Sequence, residues 1–480
     1  MRKCLLGSTF LITAALLSTG FLAQAADDDL PAAAKTAMKK AATFYRHQVA
    51  VHGGYVYYYS PDLSRRLGEG VARPNQIWVQ PPGTPTVGMA YLAAWRATRD
   101  DFYRDAAREA ASALIPGQFS SGGWTNSVEI DPQQLGIAPL RQKDGNSTLD
   151  DGISQSAIQF MAQLDQALDF QDAAVHESAQ AGLNGLLQAQ FANGAFPQVW
   201  RGPAPSVQGK KASFPDYDWR TEGRIKNYWD MFTLNDGLAG TVTTTLLAAH
   251  VIYKDDKYLA AAAKLGDFLI LAQLPEPQPA WSQQYNYDMQ PIWARRFEPA
   301  AVTGSESQDV LETLLKIYHA TGDKKYLEPI PRALAWLKRS QLPDGRLARY
   351  YELQTNKPLY MNRQGDTYSL TYDDSQLPSH YGWKVASRAA AIEAAYQAAL
   401  AGGRGQEPGA RSQEPGDRSQ DAEVVRKIIA QLDDQGRWIS TFAGEPLSGQ
   451  PKFQPGEKYL HSGVFSRNLE TLSEFLAATK

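Results

Sequence analysis

The residues best suited to chemistry lie between positions 281 and 299. This segment holds Trp281, Trp293, Arg295, Arg296 and Glu298 and has little aliphatic content, which is typical of a polar cleft and not of a core. Arginine offers a rigid fork to a carboxylate, and an indole ring offers a flat apolar face to a sugar. We therefore predict a cleft for an acidic glycan, with Trp281, Trp293 and Arg296 in contact with the ligand.

Two acidic clusters stand where predicted helices begin. Asp150 and Asp151 precede a helix over 153–164, and Asp236, next to an asparagine, precedes a helix over 238–253. Acids at a helix start often serve only as caps, and that alternative stays open. Because both clusters begin successive repeats, we expect them to meet at one rim of the fold. Carboxylate and amide oxygens suit a hard cation, so we predict that Asp150, Asp151 and Asp236 hold Ca2+.

A further polar cluster runs from Arg349 to Lys357 and includes Tyr350, Tyr351 and Glu352. Arg349 and Glu352 are three residues apart. They form either a surface ion pair, which would contribute little to stability, or part of a strand at the edge of the cleft. The two tyrosines between them are compatible with the second alternative.

Helical hairpins recur along the chain, each followed by a segment with glycine or proline and an aromatic or polar residue. These segments lie at 122–124, 193–198, 279–281 and 344–346, with weaker copies at 52–55 and 434–438, and similar turns join the paired helices at 99–103, 253–259 and 321–327. The copies match no superhelical solenoid period. We predict an all-α fold, an α/α toroid whose glycine-aromatic loops line one cleft. A plain stacked solenoid is the alternative.

The composition excludes several classes of function. The 480 residues, 43% of them hydrophobic, allow a sizeable core, and a net charge of −3 gives no general attraction to nucleic acid or anionic lipid. We therefore expect no nucleic-acid partner. The only cysteine, Cys4, lies in the leader described next, so the mature chain has neither thiolate catalysis nor a cysteine-ligated zinc site. Of the histidines, His380 and His461 are predicted to be structural.

The N-terminus has the three parts of a secretory signal peptide. Met1-Arg2-Lys3 is followed by an apolar run to Leu22 and by Ala23-Gln24-Ala25, so cleavage is expected after Ala25; an uncleaved anchor is the alternative. We predict a secreted or periplasmic monomer, free of the membrane after cleavage, with a single domain over 26–480. Residues 402–420 hold an imperfect tandem duplication without hydrophobic side chains, which indicates a flexible loop.

At this point the chain resembles a known family, the family 10 pectate lyases, which carry the pectic acid lyase domain. The resemblance covers roughly residues 85–385 and rests on motifs in family order: Thr148-Leu149-Asp150-Asp151, Asn193-Gly194-Ala195-Phe196-Pro197-Gln198, Thr233-Leu234-Asn235-Asp236, Trp293-Ala294-Arg295-Arg296-Phe297-Glu298-Pro299, Gly304-Ser305-Glu306-Ser307 and Arg349-Tyr350-Tyr351-Glu352. The family fold is an α/α toroid, in agreement with the repeat pattern.

The resemblance implies calcium-dependent β-elimination on polygalacturonate. By motif, Arg295 is the base that removes the C5 proton, and Asp150 and Asp236 hold calcium and, through it, the substrate carboxylate. Arg349 and Lys357 pair with neighbouring uronates, and Trp281 stacks on a sugar ring. The family usually has arginine at the position of Lys357 and a basic pair near 376–383, where this chain has none.

An arginine base requires a lowered pKa, because free guanidinium titrates above about 12. The necessary fall in pKa costs about 4 to 5 kcal/mol. We expect the like charge of Arg296 and a bound calcium ion to act in that direction, and we therefore expect an alkaline rate optimum.

Two other functions fit the same residues. An inverting glycoside hydrolase on an α/α toroid needs a pair of carboxylates, which Asp150, Asp236, Glu298 and Glu306 could supply, and it should not need calcium. A non-catalytic protein that binds acidic glycans would use Arg295 for affinity only.

Overall fold

In the computed structural model, the described residues are 29–131, 133, 144–220, 227–402, 418–447, 449 and 453–479. They form twelve α-helices: α1 Leu30–Phe44, α2 Thr84–Thr98, α3 Asp101–Leu114, α4 Ile153–Ala167, α5 Ala173–Ala189, α6 Leu238–Tyr253, α7 Asp256–Leu271, α8 Gly304–Thr321, α9 Ile330–Arg339, α10 Ala389–Leu400, α11 Arg418–Ala430 and α12 Ser462–Ala478. The helical frame predicted from the repeats is therefore present.

Alternate helices pack side by side. Helix α2 contacts α4, α4 contacts α6, α6 contacts α8 and α8 contacts α10, while α3, α5 and α7 each pack on the preceding member of this series. Helix α12, near the C-terminus, packs on both α1 and α2. Because the last helix returns to the first ones, the hairpins close into a ring. The fold is an α/α toroid, and the stacked solenoid is excluded.

Short strands lie in the loops between the helices. Of these, the sequence suggested only the one that contains Tyr350 and Tyr351. They are β1 Tyr58–Tyr59, β2 Arg66–Leu67, β3 Gln76–Trp78, β4 Ser127–Glu129, β5 Ser147–Thr148, β6 Val199–Trp200, β7 Phe232–Thr233, β8 Gln284–Tyr285, β9 Val302–Thr303, β10 Leu347–Ala348, β11 Tyr350–Tyr351, β12 Pro358–Gln364, β13 Thr367–Thr371, β14 Lys384–Val385, β15 Ile439–Thr441 and β16 Lys458–His461. All pair antiparallel, with sheet orders β15-β16-β1-β2, β13-β12-β11-β9, β3-β4, β5-β6, β7-β8 and β10-β14. The first sheet joins the two ends of the described chain.

The similar turns seen in the sequence share one geometry. A residue in the left-handed region ends the first helix, and the next residue, an aspartate, caps the second by accepting a hydrogen bond from a backbone N–H two residues later. The pairs are Arg99 and Asp100, Lys254 and Asp255, and Gly322 and Asp323. Each aspartate cap contributes about 1 kcal/mol to helix stability. The left-handed residue and the aspartate cap thus explain why one helix ends and the next begins within two residues.

His461 ends β16 inside the sheet that joins the chain ends. Its ring lies 4.7 Å from the Tyr58 ring, and its Nε2 is buried without a hydrogen-bond partner among the described residues. Burial, and then the charge of Arg467, lowers the pKa of His461 to about 4. The folded protein therefore resists protonating this ring, as a structural histidine does.

We expect His461 to make the protein sensitive to acid. Because the unfolded chain takes up this proton at about pH 6.5 and the folded chain only near pH 4, stability is complete above pH 6.5 and falls by about 3 kcal/mol as the pH drops to 4. Chemical unfolding of wild type and His461→Gln across this range should show a flatter slope for the variant. Equal slopes would contradict the assignment.

Among the described residues, no helix is long and apolar enough to cross a membrane. The predicted signal peptide, Cys4 and most of the predicted loop at 402–420 lie outside the described residues.

Candidate active site

Two turns of the same shape place the acidic clusters. In each, a two-residue strand, β5 or β7, leads into a short 3-10 turn, Asp150–Gly152 or Asn235–Gly237, directly before an inner helix. Asp151 and Asp236 adopt φ values of 47° and 51°, and the glycines that follow also have positive φ. Aspartate tolerates this left-handed region better than most residues, and glycine adopts it freely. The repeat therefore positions both aspartates alike.

The predicted aspartates come together. One carboxylate oxygen from each of Asp150, Asp151 and Asp236 lies within 4.8 Å of the others. Burial, and then the charge of Asp150, raises the pKa of Asp151 to about 6. Burial and the charges of Asp151 and Asp150 also raise the pKa of Asp236. Like charges at this spacing disfavour ionisation of Asp151 and Asp236, so a cation would stabilise the cluster.

The free oxygen atoms of the cluster fit a hard cation. Asp150 Oδ1 and Asn235 Oδ1 are buried and accept no hydrogen bond among the described residues. Asp151 accepts a hydrogen bond from Gln80 Nε2 at 2.8 Å, and Asp236 accepts one from Asn235 Nδ2 at 2.5 Å. Carboxylate and amide oxygens left without donors are the ligands that calcium takes in proteins. The donor set therefore matches the predicted ion.

Arg295 reaches the acidic cluster from the loop after β8. Its Nη2 donates to Asp150 Oδ2 at 3.0 Å, and its backbone N–H donates to the buried Glu298 carboxylate at 3.0 Å. Burial alone would lower the pKa of Arg295, but the charges of Glu298 and Asp150 outweigh it and raise the pKa above its ordinary value. Without a bound cation the neighbours of Arg295 therefore raise its pKa, and the expected lowering with calcium in place stays a prediction.

Arg349 reaches the cluster at Asp236. Its Nη2 donates to the buried Glu306 at 3.1 Å and lies 3.6 Å from Asp236, and its guanidinium stacks on the Tyr381 ring at 4.4 Å. The alternative of a surface pair between Arg349 and Glu352 is wrong, because Glu352 pairs with Arg220 at 3.0 Å. Arg349 is a buried member of the site.

Two predicted substrate contacts turn away from the acidic cluster. Arg296 is exposed and donates to the backbone carbonyl of Asp366 at 3.1 Å, on the turn between β12 and β13. The Lys357 ammonium lies over the Tyr372 ring at 5.3 Å. Neither side chain has a recorded contact with Asp150, Asp151 or Asp236. If Arg296 and Lys357 bind substrate, they contact uronates farther along the chain than the one at the acidic cluster.

The predicted stacking roles of Trp281 and Trp293 do not fit the structure. Trp281 is 0% exposed and Trp293 is 5% exposed, so neither offers a face to a sugar. The Trp281 indole N–H donates to the Leu269 carbonyl, at the end of the preceding helix, at 2.8 Å. Trp124 and Trp438 make the equivalent bond at 2.9 Å to Leu114 and Ile428. In these three copies the tryptophan is therefore a core residue of the repeat.

We expect Trp281→Phe to act on stability and not on substrate binding. Loss of the buried hydrogen bond and of ring volume should cost about 1 to 3 kcal/mol, with KM unchanged. Trp124→Phe is the matched control, since it removes the same bond in a different copy. Thermal melts of both variants should show similar losses. A raised KM for Trp281→Phe with an unaltered melt would restore the stacking role.

Some residues of the site were missed by the sequence prediction. Tyr381 donates to Glu298 at 3.0 Å and supports the Arg349 guanidinium, and it lies in the segment noted only for lacking a basic pair. Glu306, proposed only as part of a hydrolase pair, instead anchors Arg349. Gln80 binds Asp151 from a distant repeat, and no motif marks it.

A cavity of about 540 Å³ continues from Asp151 and Asp236 into the ring. It is bounded by polar side chains of α4, α6 and α8, including Gln159, Thr244 and Lys316. The acidic cluster thus stands at the mouth of the ring interior, where the first turns of three inner helices meet.

Comparisons with known proteins bear on this site. The sequence model of the pectic acid lyase family matches residues 136–348, a segment that includes the three aspartates and Arg295 and ends just before Arg349. A comparison with curated proteins finds no match.

Among solved structures, the chain is similar to a family 10 polysaccharide lyase from Cellvibrio cellulosa, with 20% identity, 66% of this chain and 97% of that chain covered, and a TM-score of 0.46. A mutant of that lyase in complex with trigalacturonic acid gives 20% identity, 65% and 97% coverage, and a TM-score of 0.45. A cellobiose 2-epimerase from Spirochaeta thermophila gives 15% identity, 91% and 94% coverage, and a TM-score of 0.46. At identities and TM-scores this low, these similarities do not establish a function for the chain.

The family match covers the motifs on which the sequence resemblance rests, apart from the one that begins at Arg349. The resemblance to the pectic acid lyase family is therefore confirmed over residues 136–348, and this match supports a polysaccharide lyase.

Proposed function

We propose that the protein is a calcium-dependent pectate lyase that cleaves polygalacturonate by β-elimination. The observation that supports this most is the meeting of two arginines with one carboxylate cluster: Arg295 pairs with Asp150 at 3.0 Å and Arg349 lies 3.6 Å from Asp236. Such a cluster can hold a cation between two guanidinium groups, which is a suitable arrangement for a substrate carboxylate.

Asp150, Asp151 and Asp236 would hold the calcium ion, with Asn235 as a further oxygen donor. When bound, calcium supplies positive charge beside the uronate carboxylate, which makes the neighbouring C5 proton more acidic. Arg349, fixed by Glu306 and Tyr381, would bind the same or an adjacent carboxylate and stabilise the charge that builds there during proton removal. Its burial, with a side chain only 12% exposed, strengthens this interaction.

Arg295 would accept the C5 proton, and the bond from C4 to the glycosidic oxygen would then break to give an unsaturated sugar. In the ligand-free protein its pKa is raised by Glu298 and Asp150. For Arg295 to act as a base, Asp150 would have to pair with a different cation instead of Arg295. The loss of this ion pair would lower the pKa of the guanidinium. Glu298 keeps its hydrogen bond to the Arg295 backbone and holds the residue in place.

The geometry favours a lyase over an inverting hydrolase. Inverting enzymes separate their two carboxyl groups by about 6.5 to 9.5 Å, to leave room for water, whereas Asp150 and Asp236 approach within 4.8 Å. Glu298 and Glu306 are 2% and 1% exposed and are bound to arginines. None of these pairs leaves an acid and a base on opposite sides of a sugar.

We further propose that the protein is secreted or periplasmic after cleavage at about Ala25, acts as a monomer, and consists of one catalytic domain over 26–480 with a flexible loop at 402–420. The support is the leader composition and the low-complexity duplication of the sequence.

The function is tested by following polygalacturonate in two assays at once. A lyase raises the ultraviolet absorbance of the unsaturated product in step with new reducing ends. New reducing ends without absorbance would establish a hydrolase. Binding of the polymer with neither signal would establish a glycan-binding protein.

A further inference from the structure

A second surface with cationic side chains lies around Glu352, three residues after Arg349. It consists of Arg220, Tyr372 and Lys357, which we call the Arg220 patch. We propose that the Arg220 patch is an additional subsite that binds the carboxylate of a uronate some distance from the bond that is cleaved. The inference rests on the proposed function and adds Arg220 and Tyr372 to its substrate-binding residues.

The buried Glu352 carboxylate holds the side chains of Arg220 and Tyr372 in place. Glu352 is 2% exposed, and its carboxylate accepts hydrogen bonds from Arg220 Nη2 at 3.0 Å, from the Tyr372 hydroxyl at 2.6 Å and from the Thr355 hydroxyl. A buried carboxylate with three donors holds them rigidly. Glu352 is therefore a positioning residue that fixes a guanidinium beside a phenol ring.

The side chains of the patch that would bind a ligand are accessible to solvent. The Arg220 side chain is 55% exposed although it is held by Glu352 and stacks on Trp219 at 4.4 Å. Tyr372 is 54% exposed, and the Lys357 ammonium lies 5.3 Å from its ring. Guanidinium has five N–H donors, so one bond to Glu352 leaves others for a ligand. Arg220 pairs with the buried Glu352 carboxylate, and its backbone N–H donates to the Asp218 carboxylate at 3.1 Å. The exposed Tyr372 ring lies next to Lys357.

The position of the patch fits a chain that already occupies the candidate active site. Glu352 follows Arg349 by three residues across β11, a distance of about 10 Å in extended chain. The segment that leads to Arg220 is bound to the loop that leads to Arg295, because Ser213 N–H donates to the Met289 carbonyl and the Tyr217 hydroxyl donates to the Pro291 carbonyl. The patch is thus tied to both arginines of the site.

The chemistry of the patch selects a carboxylate on a sugar. A guanidinium in a fixed orientation recognises a planar anion, and an exposed phenol ring packs on the apolar face of a pyranose. A purely structural clamp would need neither the open guanidinium nor the exposed ring.

The test compares wild type with Arg220→Ala on galacturonate oligomers of increasing length and on the polymer. We expect KM for the polymer to rise about tenfold, which corresponds to about 1.4 kcal/mol, with kcat unchanged and with no effect on the shortest oligomer that is cleaved. The effect should shrink at high salt and on methyl-esterified polymer, because both weaken a carboxylate contact. Arg220→Lys should recover part of the affinity.

Arg108→Ala is the matched control, since Arg108 is 61% exposed and paired with Asp172 between outer helices. Equal KM values for Arg220→Ala and wild type at every length would overturn the subsite while leaving the lyase in place. Direct binding of the polymer, read from tryptophan fluorescence, separates the two proposals. If wild type forms no unsaturated product but binds more tightly than Arg220→Ala, the subsite stands and the lyase fails. No binding by wild type would overturn the subsite as well.

Discussion

Arg295→Ala is expected to lower kcat on polygalacturonate by about a hundred- to ten-thousand-fold, the range for loss of a proton-transfer group. The guanidinium is held by Asp150 and Glu298 at the edge of the acidic cluster, so its removal leaves the remaining site without its proposed base. Initial rates at saturating substrate measure kcat directly, and the polymer should still bind through Arg349.

Arg296→Ala is the control for Arg295→Ala, because it removes the neighbouring positive charge but leaves the proposed base in place. Arg296 donates to the Asp366 carbonyl, so its loss should act on KM and change kcat far less than the loss of Arg295. Thermal melts must accompany both variants, because Arg295→Ala leaves Asp150 and Glu298 without their cation and lowers stability. A folded Arg295→Ala protein with nearly full kcat would contradict the role of Arg295 as the base.

Removal of calcium is expected to lower activity by at least about a hundredfold, on the scale of one lost electrostatic contact to the transition state. Calcium should restore wild type but not Asp236→Ala, because Asp236 and Asp150 provide oxygens from two different repeats. Magnesium should substitute poorly, since it demands a smaller and more regular shell. Asp344→Ala, which removes an exposed carboxylate paired with Arg346, is the matched control.

Calcium binding should also appear as a pH-dependent gain in stability. Folding raises the pKa of Asp151 to about 6 and raises that of Asp236. In the metal-free protein these groups therefore contribute most below about pH 4, and the contribution is lost as the pH rises through about 6 for Asp151 and about 8 for Asp236. Calcium at about 100 times its Kd should return about 2.7 kcal/mol. Identical melts with and without calcium at pH 8 would contradict the site.

The repeat pattern was sufficient to predict the toroid and the meeting of the aspartates. Turns such as Asp100 and Asp255 use local chemistry, and the left-handed Asp-Gly pairs recur with the repeat, so sequence spacing carries the information. Apart from the strand left open for the segment after Arg349, the strands were not predicted, and most have only two or three residues, too few to show a periodicity. Their pairing depends on the ring that brings distant loops together.

The failures in the site have a common physical cause. Trp281 was interpreted from its polar neighbours, but its burial depends on packing against a helix end that spacing does not reveal. The pKa of Arg295 is raised by Glu298, three residues away, and by Asp150, which is 145 residues away in the chain, and not by the adjacent Arg296. Arg349 likewise pairs with Glu306 instead of Glu352. Charge pairing across the ring is a long-range property that local motifs do not determine.

The most direct test of β-elimination is digestion of polygalacturonate in water enriched in heavy oxygen, followed by mass spectrometry of the fragments. Elimination breaks the bond without adding water, so wild type should give unsaturated fragments without label in the newly formed ends, and Arg295→Ala should give almost none. Saturated fragments that carry one heavy oxygen at each new reducing end would show hydrolysis and would contradict the proposed mechanism.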